Sequence, residues 1–455
     1  MLRRRCWREA TLHNRLNEKA PNMCCCCPPA ITALFYLWVR SGFSKDAVAG
    51  ALVFFPPDPP LYKFKRIAKN GDVLPDIDDE EKDENGGAEE TKDNEDDDDA
   101  GDDACSLRSF VVNSDDDSDL GSFEIDTKSS HQANVEANLK NISQEVPAEI
   151  RRERRKQREE AQQRQRQQYS QDPVAAMTER SNKSRLRAKR RAKIDARDDK
   201  NGVTYQFAPD IATLGTLPSF HGTIQAVKIG PQKRTGSYIA ALLYKLPDSE
   251  ITPNTKTILY SHGNAADIGA MSGMQAMLAK NLKCNVLVYD YSGYGESGGM
   301  PMEKNTYRDV KLVYEWLVKH VTKHEHNVIL YGQSVGSGPS CYLASRRSNV
   351  GGLVLHSPFT SGMRVLTPSR ALSCLDIFPN IDRIKKVKCP VFVIHGLKDR
   401  EVACEHGMAL HAAVPDDCKF DPWWVKEKGH NDITDGPDIV EYMQRMSNFV
   451  KSLEE

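Results

Sequence analysis

Between the apolar run NVILY and the small-residue stretch SGPSCYLA stands Gly332-Gln333-Ser334-Val335-Gly336. A G-x-S-x-G between a strand and a helix is the turn that raises a serine hydroxyl above the end of a sheet. The turn strains the serine, and its glycines let strand and helix approach without a Cβ clash. A hydroxyl is a weak nucleophile until a base takes its proton, and the base needs a carboxylate to fix its tautomer. Both partners should follow the serine, acid before histidine. The run VFVIHGLKD delivers Asp399 just past one strand, and WWVKEKGHND delivers His430 just past the last. Asp376 and Asp382 are rivals for the acid, whereas His262, His356 and His395 read as structural hydrogen-bonding residues. Upstream, ILYSHGNAAD sets His262-Gly263-Asn264 after an earlier strand. The main-chain N–H groups of Asn264 and Val335 are the expected oxyanion donors, a contribution of roughly 3–4 kcal/mol at the transition state. Such a set performs acyl transfer to water and calls for no metal or cofactor.

These side chains need a scaffold, and the text after residue 203 supplies one. Short apolar, β-branched runs at 238–246, 257–260, 285–290, 327–331, 352–355, 391–394 and 423–425 alternate with helical stretches at 268–282, 306–321 and 438–453. Strands alternating with helices predict a mainly parallel sheet covered on both faces, an α/β class in which chemistry gathers at the carboxyl ends of strands. The serine-acid-histidine order makes this the α/β-hydrolase fold. The glycine- and tyrosine-rich YDYSGYGESGG should brace the site, and residues 357–388 are the place for a small cap. Leu366, Leu372, Ile377 and Phe378 are candidates for an acyl groove there, with core burial as the alternative for each.

Across 455 residues, 62 Lys and Arg against 64 Asp and Glu give a net charge of −2, which names no partner. The balance hides two opposed blocks. Residues 76–103 hold 17 acidic residues and 2 lysines, and residues 151–197 hold 17 basic residues and 6 acidic ones. Both are too polar to offset the entropy of ordering them, which predicts disorder. The segment RRERRKQREEAQQRQRQQ could form a transient exposed helix. SRLRAKRRAK reads as a solvated linker pairing with the acidic run, or as a contact for anionic lipid. It lacks interleaved aromatic residues, so no nucleic-acid partner is expected. The resulting organisation is an N-terminal region at 1–69, a disordered acidic-then-basic linker at 70–202 and the hydrolase domain at 203–455.

Of the 12 cysteines, Cys24, Cys25, Cys26 and Cys27 are consecutive. Adjacent thiolates cannot all reach one zinc ion, whereas cysteines beside a short apolar stretch are candidates for S-palmitoylation. Several acyl chains would anchor the chain firmly, with Trp38, Phe43, Phe54 and Phe55 dipping into the interface. The apolar runs at 30–39 and 47–55 are too short to cross a bilayer. Translation from Met23 would place the anchor at the very N-terminus.

In order, SHGNAADIG, YDYSGYGESGGMPMEKNTYRD, YGQSVGSGP, HSPFTSGMRV, DIFPNI and GHNDI resemble the α/β-hydrolase domain-containing protein 17 family of membrane-bound protein depalmitoylases, with a weaker echo at CCCCPP and FFPPDPPLY. The family's catalytic residues fall on Ser334, Asp399 and His430. The resemblance implies hydrolysis of palmitoyl thioesters on peripheral membrane proteins, at the cytoplasmic face of the plasma membrane or endosomes, by a protein held through its acylated cysteines. The triad alone equally fits a lysophospholipid or other lipid ester, and a silent membrane adaptor is the reading from another class. The sequence departs from the family pattern in residues 1–22 ahead of Met23, in four contiguous cysteines, and in a long charged region placed between anchor and core.

Overall fold

The computed structural model describes residues 54–77, 111–112, 173–214, 218–366 and 376–454. The cysteine cluster, Trp38, Phe43, the segment 151–168 and most of the acidic run lie outside these residues, as do Leu372 and the side chain of Leu366.

The runs TILYS, NVLVY, VILYGQ, GLVLH and VFVIHG form β6 (Thr257–Ser261), β7 (Asn285–Tyr289), β8 (Val328–Gln333), β9 (Gly352–His356) and β10 (Val391–Gly396). With β11 (Trp423–Val425) they stand side by side in the order β7-β6-β8-β9-β10-β11, all parallel. Nearly continuous apolar strands of this kind survive only with both faces covered, and alternate side chains go to opposite faces. Leu259, Leu287, Leu330, Leu353 and Val391 pack under α3 (Glu303–Leu317), α4 (Ser337–Ala344) and α5 (Cys404–Ala413). Ile258, Val286, Ile329, Val354 and Phe392 pack under α2 (Ile268–Leu282) and α6 (Asp438–Ser452). The mainly parallel, helix-covered α/β-hydrolase sheet is therefore present.

The predicted start of the domain at 203 needs correction on both sides of the charged region. The run YKFKRI is β1 (Tyr62–Ile67), which pairs antiparallel with β3 (Thr204–Pro209). Its Tyr62, Phe64 and Arg66 are buried while Lys63 and Lys65 face water, a two-residue alternation. From β3 the sheet continues antiparallel through β4 (Thr223–Ile229) and β5 (Ile239–Lys245) to β7. The two-residue β2 (Val111–Val112) adds to β4. Phe54 is not at a membrane interface. It is 1% exposed and meets Tyr294 and Phe378 edge-on at 6.4 and 6.1 Å.

Residues 173–201 are not an unstructured linker but one helix, α1 (Pro173–Asn201). Its last turns are bolted to the sheet by charges out of reach of water, which persist only when paired. Asp198 takes a two-pronged contact from Arg66 of β1 at 2.6 Å on each oxygen, and Asp195 pairs with Lys228 of β4 at 3.1 Å. Asp199 accepts from the Tyr238 hydroxyl at 3.2 Å. The charged region is consequently an insertion within the domain rather than a tether ahead of it, and Phe54 enters the core 27 residues after Cys27.

Truncation of Phe54 tests this boundary. Phe54→Ala should lower the unfolding free energy by about 3–5 kcal/mol in a denaturant titration, whereas a loss below about 0.5 kcal/mol, typical of a surface site, would put Phe54 outside the core.

Candidate active site

Ser334 opens the short turn Ser334–Gly336 that joins β8 to α4, and its φ is +50°. A side chain at positive φ stores about 1–3 kcal/mol of strain, and the neighbouring glycines are what allow it. A Cβ on Gly332 would lie 2.5 Å from the Gly336 carbonyl oxygen, and one on Gly336 would lie 2.0 Å from that of Ser261. The turn is closed by the Ser337 hydroxyl, which donates to the Ser334 carbonyl at 2.6 Å and accepts from the Asn380 amide at 3.1 Å.

Three side chains remote in sequence meet above this end of the sheet. The Ser334 Oγ lies 2.9 Å from His430 Nε2, and His430 Nδ1 lies 2.6 Å from Asp399 Oδ2. The other Asp399 oxygen accepts the amides of Glu401 and Val402, both at 2.8 Å. Burial alone would raise the Asp399 carboxyl, but hydrogen bonds from His395 and His430 and the electrostatic attraction of the His430 ring outweigh it and hold the group well below the ordinary carboxylate range. Asp399 therefore stays ionised, which fixes Nδ1 of His430 as the protonated nitrogen and leaves Nε2 to receive the serine proton. Asp382 is elsewhere, on the short helix Asn380–Arg383, with its side chain exposed 3.8 Å from Lys385.

The sequence reading gave His395 only a structural part, yet it shares the acid with His430. Its Nε2 lies 3.1 Å from Asp399 Oδ2 and 3.0 Å from the Val402 carbonyl. A carbonyl can only accept, so Nε2 carries the hydrogen and donates to both. A signal was present in the spacing: four residues separate His395 from Asp399 across the turn that ends β10. His356 is structural in the expected sense. Its Nδ1 bonds the Tyr331 hydroxyl at 2.7 Å, and burial, helped by His430 and His395, pushes it down to about 3, so it stays neutral. No thiol competes as nucleophile among the described residues. Burial pushes Cys284, Cys341 and Cys389 up to about 12, leaving them protonated.

The loop after β6 stands against the serine, since a Cβ on Gly263 would lie 4.0 Å from the Ser334 Cβ. Tyrosines of the YDYSGYGESGG turn hold this loop: Tyr291 donates to the His262 carbonyl at 2.6 Å and Tyr294 to Asn264 Oδ1 at 2.9 Å. Asn264 Oδ1 also accepts the Phe55 amide at 3.0 Å, so the segment leading from the N-terminal region is fastened to the loop. The Asn264 amide meets no backbone carbonyl among the described residues. That of Val335 lies in the first turn of a helical segment, where no intrahelical acceptor exists. His262 Nε2 comes within 3.2 Å of Asp290 Oδ1 without hydrogen-bond alignment, while its Nδ1 bonds the Gly263 carbonyl at 2.8 Å. Of the groove candidates, Ile377 and Phe378 are buried in the core.

Substitutions at two positions probe this geometry through stability. Ser334→Gly should exceed Ser334→Ala in stability by about 1 kcal/mol in urea unfolding, because only glycine relieves the positive φ. Equal stabilities would show an unstrained turn. The depressed Asp399 carboxyl contributes stability that is complete above the unfolded carboxylate range near pH ~4 and is lost as pH falls through the lower folded value. His395→Leu should therefore be destabilised most above pH ~4, the gap from wild type closing on further acidification. A gap independent of pH would reduce His395 to a space-filler.

Comparison with known proteins agrees with this architecture. The family model described as Serine aminopeptidase, S33 matches residues 252–383, a span that includes the Ser334 turn and stops short of Asp399 and His430. Alpha/beta hydrolase domain-containing protein 17B of Homo sapiens is 43% identical over 203 residues, covering 44% of this chain and 68% of the human protein. Alpha/beta hydrolase domain-containing protein aho-3 of Caenorhabditis elegans is 40% identical over 225 residues, 49% of this chain and 64% of the nematode protein. Protein 17C of Mus musculus is 43% identical over 195 residues, 43% of this chain and 59% of its own length. With that identity sustained over two thirds of the human relative and an α/β-hydrolase sheet beneath it, the chain is a hydrolase belonging to the alpha/beta hydrolase domain-containing protein 17 family.

Proposed function

We propose that the chain is a serine hydrolase that removes palmitoyl groups from S-acylated cysteines of peripheral membrane proteins. The observation that carries this reading is the single imidazole of His430 within hydrogen-bond reach of both Ser334 Oγ and Asp399 Oδ2. Ser334 Oγ attacks the thioester carbonyl carbon as its proton passes to His430 Nε2. The carbonyl oxygen becomes an oxyanion, which takes hydrogen bonds from the Asn264 and Val335 amides. Collapse breaks the C–S bond, and the cysteine sulfur leaves with the proton returned from His430. A thiol ionises near pH 8.5, so this departure needs little assistance. Water then gives a proton to the freed Nε2 and attacks the acyl-serine, releasing palmitate and restoring Ser334. Asp399 holds the imidazole and balances its transient charge throughout.

The palmitoyl specificity and the membrane setting are supported by the family and by the sequence ahead of the domain. Acylation of Cys24, Cys25, Cys26 and Cys27 would hold the enzyme at the cytoplasmic face of the plasma membrane or endosomes, where its acylated substrates also reside. Phe54, 27 residues after Cys27, enters the core, and Phe55 bonds the Asn264 loop.

Purified wild-type protein should release palmitate from an S-palmitoylated peptide, and Ser334→Ala should do so about 10⁴-fold more slowly or worse. Release from a lysophospholipid but not from the peptide would replace the thioester by an oxygen ester. Undiminished release by Ser334→Ala would remove Ser334 from the mechanism, and absence of both release and fluorophosphonate labelling in the wild type would leave a silent adaptor.

A further inference from the structure

The chemistry proposed above uses nothing of α1, whose charges are sorted between two faces. Arg191, Asp195 and Asp198 recur at helical spacing and are buried, with Asp199 beside them, so every carboxylate of the last three turns points at the domain. The opposite face presents Arg185, Lys189, Lys193 and Lys200 to water, with Leu186 among them at 65% exposure. From Arg185 to Lys200 the helix hides its acids and displays its bases, so this stretch carries a positive surface despite its mixed composition.

The position of α1 gives that surface a direction. Arg191 pairs with Glu296 in the loop after β7 and donates to the Gly295 carbonyl at 3.1 Å. Asp195 meets Lys228 near the end of β4, and Asp199 meets Tyr238 just ahead of β5. β4 and β7 are each antiparallel to β5, while β7, β6 and β8 are mutually parallel. The ends of β4 and β7 and the start of β5 thus share the edge on which Ser334 follows β8. The last turns of the helix meet the domain at that edge, on the β4 side of the sheet, through the same Tyr294–Glu296 loop whose Tyr294 bonds Asn264 and Phe55.

We propose that the exposed face of α1 is a docking surface for an anionic phospholipid bilayer, orienting the catalytic edge toward the membrane. This rests on the membrane setting of the proposed function but not on its chemistry. Basic side chains facing an anionic leaflet contribute additively within about a Debye length of its surface, and Leu186 is placed to dip an apolar group between the headgroups. A surface of this kind turns the active site toward acyl chains in the same leaflet, which a flexible lipid anchor alone does not do. The competing occupant is the acidic run at 78–103 of the same chain, with its matching charge.

The test uses the full chain with Cys24, Cys25, Cys26 and Cys27 each replaced by serine, so that no acyl chain contributes. It should co-sediment with phosphatidylcholine vesicles containing phosphatidylserine far better than with phosphatidylcholine alone, and release when salt shortens the Debye length to about 3 Å. Arg185→Gln with Lys189→Gln and Lys193→Gln should weaken partitioning roughly a hundredfold, about fivefold for each charge, with circular dichroism and fluorophosphonate labelling in solution unchanged. The single variants Lys189→Gln and Lys193→Gln, about fivefold each, serve if the triple variant fails to fold. Partitioning indifferent to phosphatidylserine or to these substitutions overturns the proposal. So does binding that appears only after the acids at 78–103 are neutralised, since the acidic run is then the occupant. Loss of peptide hydrolysis with vesicle binding intact would refute the chemistry and leave the docking surface standing.

Discussion

An imidazole collects a proton from a serine only while its other nitrogen is held, so the site depends on the 2.6 Å contact between His430 Nδ1 and Asp399. That contact is made across 31 residues, and the one from His430 to Ser334 across 96. Neither could be maintained by local structure. What makes them possible is that β8, β9, β10 and β11 lie next to one another and parallel. Loops following those strands are delivered to one edge, and the strands that fix the edge are buried on both faces. The carboxylate is secured in turn by two backbone amides on one oxygen and two histidines on the other. An acid so surrounded stays charged when buried, which a lone carboxyl would not.

Much of this was legible in the residues. G-x-S-x-G after an apolar run, an aspartate after β10 and a histidine after β11 are local signals in a fixed order, and the parallel strands announce themselves as unbroken apolar runs. The parts that escaped were those in which charge does the work of a core. In β1 the alternation of YKFKRI is visible, but its third inward residue is Arg66, which looks like a surface residue until Asp198 is found 132 positions away. The C-terminal turns of α1 have the composition of a solvated segment, and only pairing of Asp195 with Lys228 and Asp198 with Arg66 makes their burial favourable. Composition cannot see a partner that distant, so the domain start at 203 was placed too late. His395 escaped for a different reason: the sequence places it after a strand but does not say where its ring turns.

The same pairing changes the relation between the N-terminal region and the candidate site. A charged spacer ahead of the domain would have left residues 1–69 with no place in the fold. The chain instead enters the core at Phe54, fastens Phe55 to the Asn264 loop, builds β1, and only then runs into the acidic stretch. The Asn264 loop and residues 54–67 are therefore one packed unit beside Ser334.

The central claim is that acyl groups pass through Ser334. It is tested most directly by mixing the wild-type protein with a palmitoyl thioester, quenching in acid within the first turnover, and mapping the adduct by mass spectrometry. This account requires a palmitoyl ester on the peptide that contains Ser334, formed and lost at rates compatible with turnover. Palmitate released while the acyl group is found on another residue, or on none, would contradict it.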